Sequence, residues 1–211
     1  MLTVACVLKS GGIYDATWVG RLQAGVNRHL PIEHRFVCLS DVNVPCERIP
    51  LQHNWPGWWS KIELFRLKGD ILYFDLDTAI VGDLFDIASV GWPGLKMLRD
   101  FYAPDHFGSG VMAWNGDISA IYEAFAENAT VLMMTKRERM GDQAFIEEEF
   151  GRDRVCPWQA VLAPSGQIVS YKVHCREGIP PNARVVCLHG YPKFADMPAN
   201  DPVRRTWEMA A

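Results

Sequence analysis

The stretch Ile71-Leu72-Tyr73-Phe74-Asp75-Leu76-Asp77-Thr78 decides the fold. Four consecutive apolar residues without polar alternation read as a strand buried on both faces, the environment of a central strand in a sheet covered on each side. Gly69-Asp70 breaks the preceding element, and the run stops abruptly at two acids two residues apart. A pair of carboxylates therefore emerges where a central strand ends.

Upstream, residues 2–8 form a short apolar run closed by Lys9-Ser10-Gly11-Gly12. The stretch to Leu30 carries Trp18, Leu22 and Val26 at helical spacing and is stopped by Pro31. Arg35 to Leu39 is a second apolar strand, closed by Ser40-Asp41. Strand, glycine turn, helix and strand make a βαβ unit whose strand ends share one sheet edge, and open α/β sheets bind ligands at that edge. The aromatic segment Asn54-Trp55-Pro56-Gly57-Trp58-Trp59 follows, then Ser60, read as the N-cap of a helix to about Leu67 with Glu63 completing a capping box.

Downstream, strands are expected at Gly94–Leu98 and Val111–Trp114, with a helix from about Ile118 to Glu127 capped by Asp117. Another helix should follow Gly141-Asp142. A last strand, Ala183 to Leu188, ends in His189-Gly190-Tyr191-Pro192-Lys193. No repeat or linker interrupts the pattern, and 211 residues are enough for one well-buried α/β domain over 1–211.

Hydrophobic residues make up 49% of the chain and charged ones 22%, a balance that excludes a disordered tail. A net charge of -4 offers no basic stripe for a nucleic-acid backbone, so any bound phosphate is expected to be small and held locally. No stretch approaches the roughly 20 apolar residues of a membrane span, and MLTVACVLKSGG lacks a charged leader, so a cytoplasmic location is expected. The cysteines show no CxxC spacing and are expected to be free thiols, not zinc ligands or disulfides.

Two carboxylates held together in a partly desolvated place repel one another, which raises a pKa unless a cation neutralises them. Hard oxygen ligands favour magnesium or manganese, which keep positions open for a diphosphate and screen the charge of a leaving group. For Asp-x-Asp alone, a turn cap at Asp77 and a salt bridge at Asp75 are the simpler explanation.

The motif has company: Ser60-Lys61-Ile62-Glu63-Leu64-Phe65 before it and His189-Gly190-x-x-Lys193 far after it. The ordered set resembles the family-8 glycosyltransferases, which include glycogenin and the lipopolysaccharide galactosyltransferases. The resemblance runs in short islands from residue 2 to about 194. It implies a GT-A-type α/β domain with a mixed, mostly parallel central sheet flanked by helices. It also implies a nucleotide-diphosphate sugar donor of the UDP type, a manganese requirement and transfer with retention of configuration.

Carried over residue by residue, the resemblance makes Asp75, Asp77 and His189 the metal ligands, and the imidazole tilts the choice from magnesium to manganese. Asp75 and Leu76 would also meet the nucleotide, Lys193 the diphosphate, and Lys61 a donor phosphate or sugar hydroxyl. Leu8, Lys9, Tyr14 and Asp41 fall at the nucleotide end, with Tyr14 able to stack on a uracil-like base. Ser109 and Gly110 fall on the strand beneath the donor sugar, and Asp142 and Gln143 match the pair beside the anomeric carbon. Ordinary alternatives stand beside these roles: a solvated helix lysine for Lys61, core packing for Tyr14 and an N-cap for Asp142. The chain departs from the family pattern at Gly108, where an Asn is usual, and at Lys193-Phe194-Ala195, where Lys-Pro-Trp is usual.

Trp55, Trp58 and Trp59 could form a platform for an acceptor sugar or pin a loop to the core. The acceptor itself, whether sugar, glycan or protein, is not legible. His53, His106 and His174 read as ordinary loop or core histidines. Two rival readings remain: a haloacid-dehalogenase-type phosphatase with Asp75 as nucleophile and Asp77 as acid/base, and a non-catalytic nucleotide-sugar-binding module.

Overall fold

The computed structural model describes residues 1–91, 94–135 and 141–210. Strand β1 (Leu2–Leu8), helix α1 (Ala16–His29) and strand β2 (His34–Ser40) form the βαβ unit, with Leu2 opposite His34 and Leu8 opposite Ser40 in parallel register. Asp15 caps α1 by accepting from the Thr17 amide, and Trp18, Val19, Leu22 and Val26 give the helix its buried face. Strand β3 (Glu47–Pro50) pairs with β2, and β4 (Ile71–Phe74) pairs with β1 on its other side, both in parallel.

The chain continues through β5 (Thr78–Ile80), α2 (Phe85–Ser89), β6 (Lys96–Arg99), β7 (Phe107–Trp114), α3 (Ala120–Thr135) and α4 (Asp142–Phe150). It ends through β8 (Cys156–Pro157), α5 (Trp158–Val161), β9 (Ile168–Ser170), α6 (Tyr171–His174), β10 (Val185–Cys187) and α7 (Pro202–Glu208). The main sheet has the order β3-β2-β1-β4-β7-β6-β8, and only β7 runs against its neighbours among the described residues. A smaller sheet has the order β5-β10-β9 and is entered from β4 through Asp75-Leu76-Asp77. The expected mixed, mostly parallel sheet flanked by helices is therefore present.

Side-chain alternation explains the unbroken apolar run of β4. Leu72 and Phe74 pack into one cluster with Val4, Cys6, Leu8 and α1, while Ile71 and Tyr73 pack into the other with Ala5, Trp59 and Phe125. Both faces are covered, so neither face needs polar residues. The two clusters fix the strand, and the strand fixes where Asp75 and Asp77 emerge.

Several expected elements differ. Residues Gly57–Arg66 form a 3-10 helix entered at Pro56, not an α-helix capped at Ser60. Ser60 Oγ donates to the Gly57 carbonyl at 2.7 Å, so it does not act as a capping acceptor. The buried Glu63 carboxylate accepts from the Gln52 and His53 amides at 2.7 and 2.8 Å and fastens the preceding loop instead of closing a capping box. Strand β7 begins at Phe107, four residues earlier than expected, because Gly108 can pair with Leu98 although it breaks the apolar pattern. Helix α3 starts at Ala120 and runs on to Thr135 across a non-helical Asn128. Asp142 is not an N-cap: Gly141 precedes α4 without a side-chain cap, and the Asp142 carboxylate is turned elsewhere. All six cysteines are free, and no described helix is long and apolar enough to cross a membrane.

Candidate active site

At the C-terminal ends of β1 and β4 lies a cavity of about 850 Å³. Lys9 and Tyr14 reach it from the turn after β1, Asp75, Leu76 and Asp77 from the end of β4, and Ser109 and Gly110 from β7. Asp142 and Gln143 reach it from the start of α4, and His189 from beyond β10. The far end of the chain is brought in by the small sheet. Strand β5 leaves directly from Asp77 and pairs antiparallel with β10, Thr78 opposite Cys187, and the Leu188 amide donates to the Asp77 carbonyl at 3.1 Å.

Each carboxylate has an ammonium and a phenol beside it. Asp75 accepts from Tyr73 Oη and lies 2.9 Å from Lys61 Nζ, while its amide donates to the Gly110 carbonyl at 2.8 Å. A Cβ at Gly110 would stand 3.4 Å from Asp75 Oδ2, so a glycine lets β7 pass close to the carboxylate. Asp77 is paired with Lys193 and accepts from Tyr14 Oη at 2.9 Å. Burial, then the charge of Asp75, pushes the Asp77 carboxyl above its ordinary range, against the pull of Lys193 and Tyr14.

Behind the acids sits a buried polar network. Lys61 is 7% exposed, which rules out a solvated helix lysine. Its ammonium lies 3.2 Å from Asp142 as well as 2.9 Å from Asp75, and it donates to Ser109 Oγ at 2.9 Å. Ser109 Oγ in turn donates to Asp142 Oδ2 at 2.7 Å, and the Ser109 amide donates to Gln143 Oε1 at 3.4 Å. Burial disfavours the ammonium, but Asp142 and Asp75 outweigh it and hold the lysine above its usual range. One fixed cation is thus shared by two carboxylates on two different elements.

No known family's sequence pattern matches the chain, and neither does any curated protein. Solved structures do. The chain superposes on the glycosyltransferase GlyE of Streptococcus pneumoniae TIGR4 with a TM-score of 0.72 at 15% identity, covering 100% of this chain and 60% of GlyE. The galactosyltransferase LgtC, solved with donor and acceptor sugar analogues, gives 0.63 at 13% identity, covering 99% of this chain and 94% of LgtC. The bifunctional glycosyltransferase WbbM gives 0.61 at 12% identity, covering 99% and 51%. The chain has the GT-A glycosyltransferase fold.

Within this GT-A fold, some of the residues expected at the site stand apart from the cavity or face away from the acids. His189 Nε2 lies 2.7 Å from Ser170 Oγ, and its ring packs on Phe101. Burial, then Lys172, lowers the His189 pKa. Among the described residues no three His, Cys, Asp or Glu side chains are grouped closely enough to hold a metal ion. The carboxylate pair is assembled, and the imidazole lines the same cavity without being turned to it. Leu8 is a core residue, and its neighbour Val7 lines the cavity. Asp41 lies outside the cavity wall and holds Lys9 and the Ser10 amide and hydroxyl, the latter two at 2.9 and 2.6 Å. Burial would raise its carboxyl, but these bonds bring it down to about 2. Lys193 reaches the site through Asp77. The Tyr14 ring meets Trp18 edge-on and its hydroxyl is committed to Asp77, so core packing and acid contact coexist there.

Trp55 and Trp59 are core residues, whereas Trp58 opens onto the cavity. His53, His106 and His174 are taken up by Tyr122, Glu147 and the Ser170 amide. Two features escaped sequence reasoning. Tyr73 could have been found, because the period of two in a strand puts it on the same face as Asp75. The wall at Arg99-Asp100-Phe101-Tyr102 carries no motif, and the pairing of β6 with β7 and β8, together with Gln159 on Arg99, brings it to the cavity.

Proposed function

We propose that this chain transfers a sugar from a nucleotide-diphosphate donor of the UDP type to an acceptor. The observation that carries the reading is the concentration of two acids and a buried lysine–aspartate network at one GT-A cavity. Asp75 and Asp77 are hard oxygen donors that repel one another and have drawn two ammonium groups to themselves, which fits a site for manganese or magnesium. His189 would complete the set once its ring leaves Ser170. A metal bound there supplies charge screening for the departing diphosphate.

The protein's own residues account for the rest. Lys193, close to the acids, is placed to neutralise the diphosphate, and Lys61 fixes Asp142 and Ser109 beneath the donor sugar. Asp142 and Gln143 would lie beside the anomeric carbon, where the bond to the diphosphate oxygen breaks with oxocarbenium character, its electron pair staying on the leaving diphosphate, while the acceptor hydroxyl attacks from the same face and gives its proton to that departing oxygen. The phosphatase alternative is not favoured. Its motif normally follows the first strand, whereas Asp75 follows a full βαβ unit in a GT-A sheet.

The test is release of nucleoside diphosphate from UDP-sugars with manganese present. Turnover that disappears in a folded Asp77→Ala variant supports transfer. Saturable nucleotide binding without turnover would instead mark a binding module, and full activity in Asp77→Ala would sink the proposal.

A further inference from the structure

Three indoles occur within residues 55–59, and the fold treats them differently. Trp55 and Trp59 are 7% and 4% exposed and both contact the Phe125 ring, one edge-on at 4.7 Å between centroids, the other stacked at 5.3 Å. Trp58 between them is 51% exposed and lines the cavity. Its two anchored neighbours leave the intervening side chain little freedom to fold inward.

The seat beneath Trp58 is specific. Gly141 has φ +62°, and a Cβ there would stand 2.6 Å from Trp58 Nε1 and 3.2 Å from two further indole atoms. The indole therefore rests on bare backbone immediately before Asp142 and Gln143. On the transferase reading Lys9 and Tyr14 belong to the nucleotide, whereas Trp58, against Gly141, stands next to Asp142 and Gln143. Phe101 and Tyr102 also line the cavity, but Trp58 is the aromatic seated directly against the backbone that leads into Asp142 and Gln143, and the C–H face of a pyranose packs on an aromatic ring while its hydroxyls keep other partners.

We infer that Trp58 is the stacking platform for a saccharide acceptor, holding a pyranose ring beside Asp142 and Gln143. The inference rests on the transferase reading and names its acceptor class as carbohydrate. Saturation-transfer NMR with methyl β-galactopyranoside, methyl β-glucopyranoside and lactose, run on the whole protein with UDP and manganese present, tests it. At least one of these sugars should bind, with saturation strongest at its C–H face. Trp58→Ala should weaken that binding about tenfold, and Trp58→Phe should restore part of it.

On the same variants, the thermal shift given by UDP and manganese should be unchanged. Equal sugar binding by wild type and Trp58→Ala overturns the inference, and so does binding of none of the three sugars by a protein that binds UDP. A Trp58→Ala variant that loses UDP binding also overturns it, because Trp58 would then belong to the donor site. If UDP itself fails to bind the wild type, the transferase reading fails first.

Discussion

Lys61 Nζ lies 3.2 Å from Asp142 Oδ2, with both side chains less than a tenth exposed. Asp75 shares the same ammonium from the other side at 2.9 Å. Removing one partner of such a pair leaves an uncompensated buried charge, which costs about 3–5 kcal/mol. Lys61→Met should lower unfolding stability by that order in urea titrations. Adding Asp142→Asn should recover part of the loss, since the orphaned charge goes with it, and strict additivity of the two changes would show that they do not interact. Lys61→Arg should not restore turnover, because a planar fork does not replace a compact ammonium among three acceptors.

The acid pair makes a second prediction. A ligand that binds only the folded state stabilises it by about 2.7 kcal/mol at a hundredfold excess over its dissociation constant. If Asp75 and Asp77 hold a cation that also neutralises a diphosphate, UDP and manganese together should raise the melting temperature more than the sum of each alone. In Asp75→Asn and Asp77→Asn that joint excess should vanish while the unliganded protein stays folded. A UDP shift that is indifferent to manganese in the wild type would remove the metal from the proposal.

What the sequence disclosed follows from where local physics suffices. The βαβ unit and β4 were legible because their periodicity is set by burial against their own neighbours, and Asp75 and Asp77 came with β4. The 57–66 helix was misread because Ser60 and Glu63 have the spacing of a cap, yet tertiary contacts to Gly57, Gln52 and His53 claim both side chains. Strand β5 is three residues long and exists only through β10, more than a hundred positions away, so no local pattern could announce it. The separate fates of Trp55, Trp58 and Trp59 likewise depend on Phe125 and Gly141, which are remote in sequence.

Asp41 predicts a pH signature. Its carboxyl is held at about 2 in the folded chain by Lys9 and Ser10, against burial, and titrates near 3.9 when unfolded. A depressed carboxyl contributes stability that is full above the unfolded value and is lost as pH falls through the folded one. The stability difference between wild type and Asp41→Asn should therefore be flat above about pH 5 and shrink between about pH 4 and 2. The group is partly exposed, so the difference should be modest and should fall with added salt. A difference that grows on acidification would contradict the pairing.

Gly141 carries two separable demands. Its φ of +62° with ψ −129° lies where residues with a side chain are strained by about 1–3 kcal/mol, and a Cβ would also strike the Trp58 indole at 2.6 Å. Gly141→Ala should therefore destabilise the protein by more than the backbone cost alone and should depress turnover, because the displaced backbone carries Asp142. In a Trp58→Ala background the steric part disappears and the backbone part remains. The double-mutant cycle should accordingly show a smaller penalty for Gly141→Ala when the indole is gone. Equal penalties in the two backgrounds would mean that Trp58 does not rest on Gly141, and the indole's fixed position beside Asp142 and Gln143 would lose its support.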